Sequence, residues 1–512
     1  MKEKRSIQKR SIILSSILGM GLGILVALIN PGENGFQSWL AGTIISSICI
    51  FCLYNVWKWL GGTRLLGICM GIAVILRILV GFGLTIGLPI WGHEEEPPQH
   101  GYLYLDAYRR DSDAWSLAQS GDSILAAYGE EFINDQYGGL LALSAGIYKS
   151  LSGDAHRPVL ILLLTSFLPA LGIPFLWNAI QKRWDDQLAN LSIWFYALYP
   201  ESIILSSSQM REPFLIGLSA IAFWGVVEWK HNRRNALLAL IISLVGIAFF
   251  SSRVVAAILA LLLIWFWFDN IYPIMNTKWR RLGWIAVGAG AALAIGLSLD
   301  WLINTARWDI YLMQSASGRI QFELENIGMQ WRIPFIVAYG LLQPVLPATL
   351  AYPTLPLMQA IHIFRALGWY LLLPLLLFAV IAVWNSKPKK DRGVMFLFLT
   401  GIALWVLISS IRAGGDQWDN VRYRTIFMVW ISVVGAWAYL QAKRQKSPWL
   451  KRIVLVEGIY ILAFLQWYLS RYYRLGGRLP FWQMILILTL TGITIVASGF
   501  ILDRHRQRRL DK

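Results

Sequence analysis

Asp106-Ala107-Tyr108-Arg109-Arg110-Asp111-Ser112-Asp113-Ala114-Trp115-Ser116-Leu117-Ala118 lies at the centre of Gly92–Tyr137. That stretch holds ten of the chain's 29 acidic residues and only two basic ones, Arg109 and Arg110. On both sides the chain turns apolar in runs of about 18 residues or more, the length a helix needs to cross a hydrocarbon core. An acid-rich loop set between such runs reads as a polar segment carried by membrane helices. The composition agrees: 512 residues, 56% hydrophobic, 15% charged, mean hydropathy +0.53. A soluble chain of this length carries far more charge. The expected fold class is an all-α polytopic membrane protein.

The net charge of +17 does not point to nucleic acid, because the basic residues cluster in short loops between apolar runs, as cytoplasmic loops do. Cys49, Cys52 and Cys69 all lie in apolar runs, form no disulfide framework and show no zinc spacing, so they read as core filler. The 26 tryptophans suit interfacial anchoring and packing. The basic start Met1–Arg10 precedes an apolar run without a small-residue cleavage site, and an uncleaved first span is expected.

Lysine and arginine bias sets the orientation. Spans are expected at Ser11–Ile29, Leu40–Leu60 and Leu65–Ile90, with the basic turn Lys58–Arg64 inside and Gly92–Tyr137 outside. Gly138–Leu151 is short for a span and reads as an amphipathic helix on the outer surface. Then follow Val159–Ile180, Leu188–Ser207, Pro213–Trp229, Ala236–Phe250, Val254–Phe268 and Leu282–Leu299. A second polar outer segment, Asp300–Trp331, precedes Ile333–Pro356, where Pro334, Pro344, Pro347, Pro353 and Pro356 favour a re-entrant or surface-lying segment over a plain span. Ala360–Trp384, Gly393–Ile411, Thr425–Gln441, Ile453–Leu469 and Trp482–Leu502 complete roughly 14 spans with both termini cytoplasmic. Four regions are expected: N-terminal helices over 1–64, a membrane module over 65–299 with its outer loop at 92–155, an outer and re-entrant region over 300–359, and C-terminal helices over 360–512.

Asp111 and Asp113 lead the candidate residues. The stretch reads as a loop entering a short helix, with Asp111 either its N-cap or a general base. Residues at i and i+2 do not share a helical face. Arginines expected on the outer side form a second set, namely Arg109, Arg110, Arg211, Arg253, Arg365, Arg422 and Arg424. Their planar forks suit phosphate oxygens, although headgroup snorkelling explains any one of them. Glu212, beside Arg211, is either a first-turn acid or a second carboxylate of a site. Asp416, Trp418 and Asp419 could contact sugar hydroxyls or form a polar turn. His93, His100 and Glu94–Glu96 show no metal spacing. No phosphate loop, dinucleotide fingerprint or nucleophile elbow is present.

Taken together, Asp111, Trp115 and Ala118 in a first outer loop, the Leu140–Gly153 helix, His156-Arg157 at a span start and Tyr199-Pro200 near a span's outer end resemble the GT-C superfamily of polytopic glycosyltransferases. Its members include protein O-mannosyltransferases and bacterial aminoarabinose transferases. The likeness covers roughly Leu65 to Phe268, with Arg422-Tyr423-Arg424 similar further on. It departs where many members carry Asp-Glu and this chain has Asp111-Ser112, and where Trp115 replaces a tyrosine. The resemblance implies an inverting transferase of the cell envelope at the plasma membrane. Asp111 matches the position of the catalytic acid. The donor would be a polyprenyl-phosphate-linked sugar lying in the bilayer, and the acceptor a glycan, lipid or protein. Some relatives hold a divalent ion with loop carboxylates and others need none, so a metal is left open. An O-antigen-type polymerase or ligase, centred on Arg412–Arg424 or Asp300–Trp331, and a lipid or sugar flippase are the competing expectations.

Overall fold

Inside a bilayer every backbone N–H and C=O must find its partner within the protein, which leaves helices as the solution for apolar runs like these. A computed structural model of the chain describes residues 2–132, 138–153, 155–286, 288–289, 303, 326–385 and 389–510. Every regular element among them is helical. Among the described residues ten helices are long and apolar enough to cross a membrane, or eleven if one bent pair counts as a span. The chain is an all-α, multi-pass membrane protein.

Four of the roughly 14 expected spans are absent from those ten, each for its own reason. Leu188–Ser207 is split in two. Pro213–Trp229 forms a helix of 17 residues, at the short limit for a crossing. Thr425–Gln441 belongs to the pair bent by 73°. Leu282–Leu299 beyond residue 289, and most of the outer segment Asp300–Trp331, fall outside the described residues.

Contacts divide the chain into two units, Met1–Ala289 with Thr425–Ser432, and Gly290–Arg424 with Val433–Lys512. The first contains α1 (Lys2–Ile29), α2 (Gly35–Trp59), α3 (Arg64–Trp91), α4 (Leu105–Gln119), α5 (Gly139–Ile147), α6 (Val159–Arg183), α7 (Asp186–Leu198), α8 (Pro200–Ser206), α9 (Glu212–Glu228), α10 (Arg233–Phe250) and α11 (Ser252–Phe266). Its core joins Val26, Ile45, Ile78, Phe82, Leu160, Leu163 and Phe167 from α1, α2, α3 and α6. Helix α9 is buried along nearly its whole length, from Glu212 to Glu228, as a helix apolar on every side must be.

The break between α7 and α8 follows from Pro200. A residue before proline avoids the helical region, and Tyr199 is extended (φ −63°, ψ 117°). The carbonyl of Ala197, left near the end of α7, accepts from Arg77 Nη1 at 3.0 Å. Arg77 is fully buried in α3 and also donates to Ser202 Oγ at 3.2 Å, Ser206 Oγ at 3.3 Å and its own Ala73 carbonyl at 2.9 Å. Carbonyl dipoles at a helix C-terminus and two hydroxyls thus surround the charge.

Two expectations are corrected here. α5 is not amphipathic: Gly139, Leu140, Leu141, Ala142, Ser144 and Ala145 are buried, because α4, the Ile124–Tyr128 turn and α10 pack around it. A Cβ on Gly139 would meet the Phe249 carbonyl oxygen at 2.0 Å, so only glycine permits this approach. Cys52 is not core filler but exposed on α2.

The second unit contains α12 (Met329–Leu342), α13 (Leu346–Ala351), α14 (Pro356–Asn385), α15 (Lys389–Ala413), α16 (Asp419–Thr425, its last residue in the first unit), α17 (Met428–Arg444) from Val433 onward, α18 (Pro448–Tyr473) and α19 (Phe481–Leu510). The proline-rich Ile333–Pro356 region forms the short helices α12 and α13, interrupted at Gln343–Val345.

Candidate functional site

Helix α4 begins at Leu105, six residues before Asp111, so Asp111 sits mid-helix and is not an N-cap. Asp106 occupies the first turn instead, where an acid favours the helix dipole. The buried face is Ala107, Arg110, Asp111, Ala114 and Leu117, the i, i+3, i+4, i+7 stripe that pulls an amphipathic helix onto its support. This spacing turns Asp111 inward. Asp113 is half-buried and Arg109 exposed.

Asp111 is 3% exposed, and a buried carboxylate needs donors. Tyr102 donates to Oδ2 at 2.5 Å and Tyr148 to Oδ1 at 2.5 Å. His156 Nε2 stands 2.8 Å from Oδ2, off the line of a well-directed hydrogen bond. Trp115, one turn further along α4, stacks on the His156 ring at 5.3 Å and 18°. Tyr148 meets both rings edge-on, at 6.0 Å from Trp115 and 5.1 Å from His156. The result is a carboxylate walled by two phenols, an imidazole and an indole. His156 is the more open edge, with 28% of its side chain exposed against 4% for Asp111. Burial raises the pKa values of both phenols well above 10, and the nearby charge of Asp111 adds to the effect. Both therefore remain protonated donors.

The supporting parts are identifiable. The Tyr102 side chain also bonds Gln209, which holds a left-handed backbone (φ 54°) in the turn between α8 and α9. Tyr104 donates to the buried Glu201 on α8 at 3.2 Å. Gly101, at φ +78°, passes so close to Thr85 that a Cβ would lie 2.7 Å from its carbonyl oxygen. Arg157, next to His156, is spent on structure: it donates to Ser38 Oγ at 2.6 Å, to the Ala155 and Asn34 carbonyls at 3.2 and 3.3 Å, and to the Ser152 carbonyl. It fastens the start of α6 to the turn before α2.

The structure brings together Asp111 and Trp115 of the expected residues, with His156 from the resemblance. Tyr102 and Tyr148 were missed; both read as ordinary packing aromatics, and only the fold aims their hydroxyls. Arg110 is buried on the Asp111 face. Arg211 and Glu212 lie at the start of α9, both buried, with Nε 3.8 Å from Oε1. Arg253 is exposed at the start of α11.

The remaining arginines belong to the second unit and form a separate constellation. Arg365 is buried on α14 with its guanidinium 4.1 Å over the Trp418 ring, and it donates to the Gln417 and Trp418 carbonyls at 3.3 and 3.4 Å. Arg424 lies 3.5 Å over Trp369 and donates to the Gln343 carbonyl at 2.7 Å. Arg422 pairs with Asp419 at 3.2 Å and bonds the Tyr423 hydroxyl at 3.2 Å. Asp416 is a turn residue: Oδ1 accepts from the Trp418 and Asp419 amides at 2.6 and 3.1 Å and so starts α16.

Among the described residues no three His, Cys, Asp or Glu side chains converge as metal ligands. The groups around Asp111 are phenols and an imidazole rather than further carboxylates, a poor donor set for a hard divalent ion. Comparison of the chain with protein-family models, with curated proteins and with solved structures finds no match.

Proposed function

We propose that the chain is an integral-membrane inverting glycosyltransferase, moving a sugar from a polyprenyl-phosphate donor to an acceptor hydroxyl with Asp111 as general base. The observation that carries this reading is the Asp111 setting. A lone carboxylate is held by two phenols beside a half-open histidine, on a short helix that joins membrane spans. An ionised carboxylate accepts at about four lone-pair directions, and Tyr102 and Tyr148 take two. An acceptor hydroxyl arriving along the half-open His156 edge would use another.

The acceptor proton passes to Asp111 as the acceptor oxygen bonds to the anomeric carbon. The bond from that carbon to the phosphate oxygen breaks, and its electron pair leaves with the polyprenyl phosphate. One base suffices for this displacement, without the paired carboxylates of a retaining hydrolase. Arg110, Arg211 and Arg253 are the cations of the same unit suited to the departing charge. Sidedness follows the charge bias of the loops, with the site on the non-cytoplasmic face.

The test is purified protein with defined polyprenyl-phosphate sugars, scored for sugar release. Asp111→Asn is expected to lower turnover by about 100-fold or more, as removal of a general base does. Unchanged turnover removes the assignment. A second reading, the oligosaccharide polymerase or ligase, is favoured by the buried arginines Arg365, Arg422 and Arg424 on tryptophan and tyrosine faces. Loss of activity in Arg422→Ala, with Asp111→Asn tolerated, would select it.

A further inference from the structure

At the far end of α6, roughly 37 Å along its axis from His156, three chain segments meet. They are the C-terminus of α6, the α9–α10 turn and the residues after α11. They enclose a cavity of about 50 Å³ lined by Lys182, Arg183, Lys230, His231, Asp269 and Asn270, with Val226 and Val227 as apolar wall.

The acids here are already committed inside the protein. Asp269, 6% exposed, takes Arg183 Nε at 2.9 Å and Trp265 Nε1 at 3.2 Å on Oδ2, with Arg183 Nη2 at 3.4 Å from Oδ1. Glu228, 5% exposed, takes Lys182 Nζ at 2.5 Å. Lys230 Nζ donates to the Asp269 carbonyl at 3.0 Å. Buried carboxylates therefore hold Lys182 and Arg183, a backbone carbonyl holds Lys230, and three permanent positive charges line the cavity beside the one carboxylate of Asp269. Aromatic side chains mark the depth: Arg183 lies 4.8 Å over the Trp184 ring, and Trp229 packs edge-on to Phe266 at 5.2 Å. Indoles beside cations at the ends of apolar helices indicate headgroup level.

From this we infer that the cavity is a binding site for the phosphate of an anionic glycerophospholipid headgroup. Fixed ammonium and guanidinium donors meet the phosphodiester, and the valine wall meets the start of the acyl region. The cavity has room for a phosphate-sized group. The site uses none of the residues assigned to transfer, and it stands whether or not that reading does.

The test is the full-length protein in nanodiscs of phosphatidylcholine with or without phosphatidylglycerol, read by native mass spectrometry for retained lipid and by the thermal midpoint. Wild type is expected to retain phosphatidylglycerol over phosphatidylcholine and to gain stability from it. Lys230→Gln should weaken that retention about fivefold, the effect of one basic residue near an anionic surface, whereas Lys230→Arg keeps it. The double variant Lys182→Gln with Glu228→Gln removes a cation without leaving a buried acid unpaired, and should also weaken retention. Equal retention of the two lipids, or retention unaltered by Lys230→Gln, overturns the proposal. So does inorganic phosphate in phosphatidylcholine discs stabilising the protein as well as phosphatidylglycerol does, since the ligand would then be soluble.

Discussion

The phenol of Tyr148 donates to Asp111 Oδ1 across 2.5 Å from a fully covered position. A hydrogen bond to a charged group contributes about 1.5–3 kcal/mol. Tyr148→Phe is therefore expected to destabilise the detergent-solubilised protein by about 2 kcal/mol, measured as a fall in unfolding midpoint. Its pH dependence has a definite sign. Burial first, then the charge of Asp111, hold the pKa of this phenol and that of Tyr102 above their ordinary value. In the unfolded chain both lose their protons near pH 10. The stability gained by keeping them protonated is fully present below that pH, and is lost as pH rises through the higher folded values. A midpoint followed upward from pH 8 should hold and then decline beyond about 10, with a shallower decline in Tyr148→Phe. A decline of equal steepness in the variant would show that Tyr148 does not carry the effect. This residue also shows what the sequence conceals. Asp111 is visible as an acid in an acid-rich stretch, and Trp115 and His156 stand in a recognisable pattern. Tyr102 and Tyr148 are nine and 37 residues from Asp111, and no local spacing announces that their hydroxyls converge on it.

Apolar runs were legible as helices because length and hydropathy suffice to declare them. Their interruptions were less so. Leu188–Ser207 has the composition of one crossing, but Tyr199-Pro200 divides it, and the freed Ala197 carbonyl depends on Arg77. Arg77 sits within an apolar run, where its charge is conspicuous, yet three of its four partners come from residues more than 100 positions away. Arg77→Met should leave the Ala197 carbonyl and two serine hydroxyls short of a donor. The expected cost is about 2–3 kcal/mol, that of buried polar groups left unsatisfied. Arg77→Lys, with a single ammonium in place of the fork, should recover part of it. Thermal unfolding in detergent checks both, and an unaltered midpoint for Arg77→Met would mean that the break is held by packing alone. The helix start at Leu105 was misplaced for a related reason: polar residues at the head of α4 resemble a loop until Ala107, Arg110, Ala114 and Leu117 are seen as one buried stripe.

At the scale of the molecule, the claim to test is that α6 crosses the membrane and separates two chemically different ends. Around His156 lie Asp111 and its phenols; around Arg183 lie cations and indoles. Between them stands a helix of 25 residues, long enough for a hydrocarbon core of about 30 Å. Three exposed positions report on it: Lys149 before α6, Gln187 just after it, and His231 after α9. In a background with Cys49, Cys52 and Cys69 replaced by serine, a cysteine at each is offered a membrane-impermeant maleimide on intact cells and again after permeabilisation. Lys149→Cys is expected to react on intact cells, and Gln187→Cys and His231→Cys only after permeabilisation, since lysine and arginine bias predicts a cytoplasmic side for the basic loops that carry them. Labelling of Lys149→Cys and Gln187→Cys from one side would mean that α6 does not cross. Labelling of Gln187→Cys and His231→Cys from opposite sides would mean that the broken pair α7–α8 and the 17-residue α9 do not together leave and return. In that case the break at Tyr199-Pro200 marks a segment that enters the bilayer and turns back, and the Gln209 turn that bonds Tyr102 would be reached from within the membrane rather than from its surface.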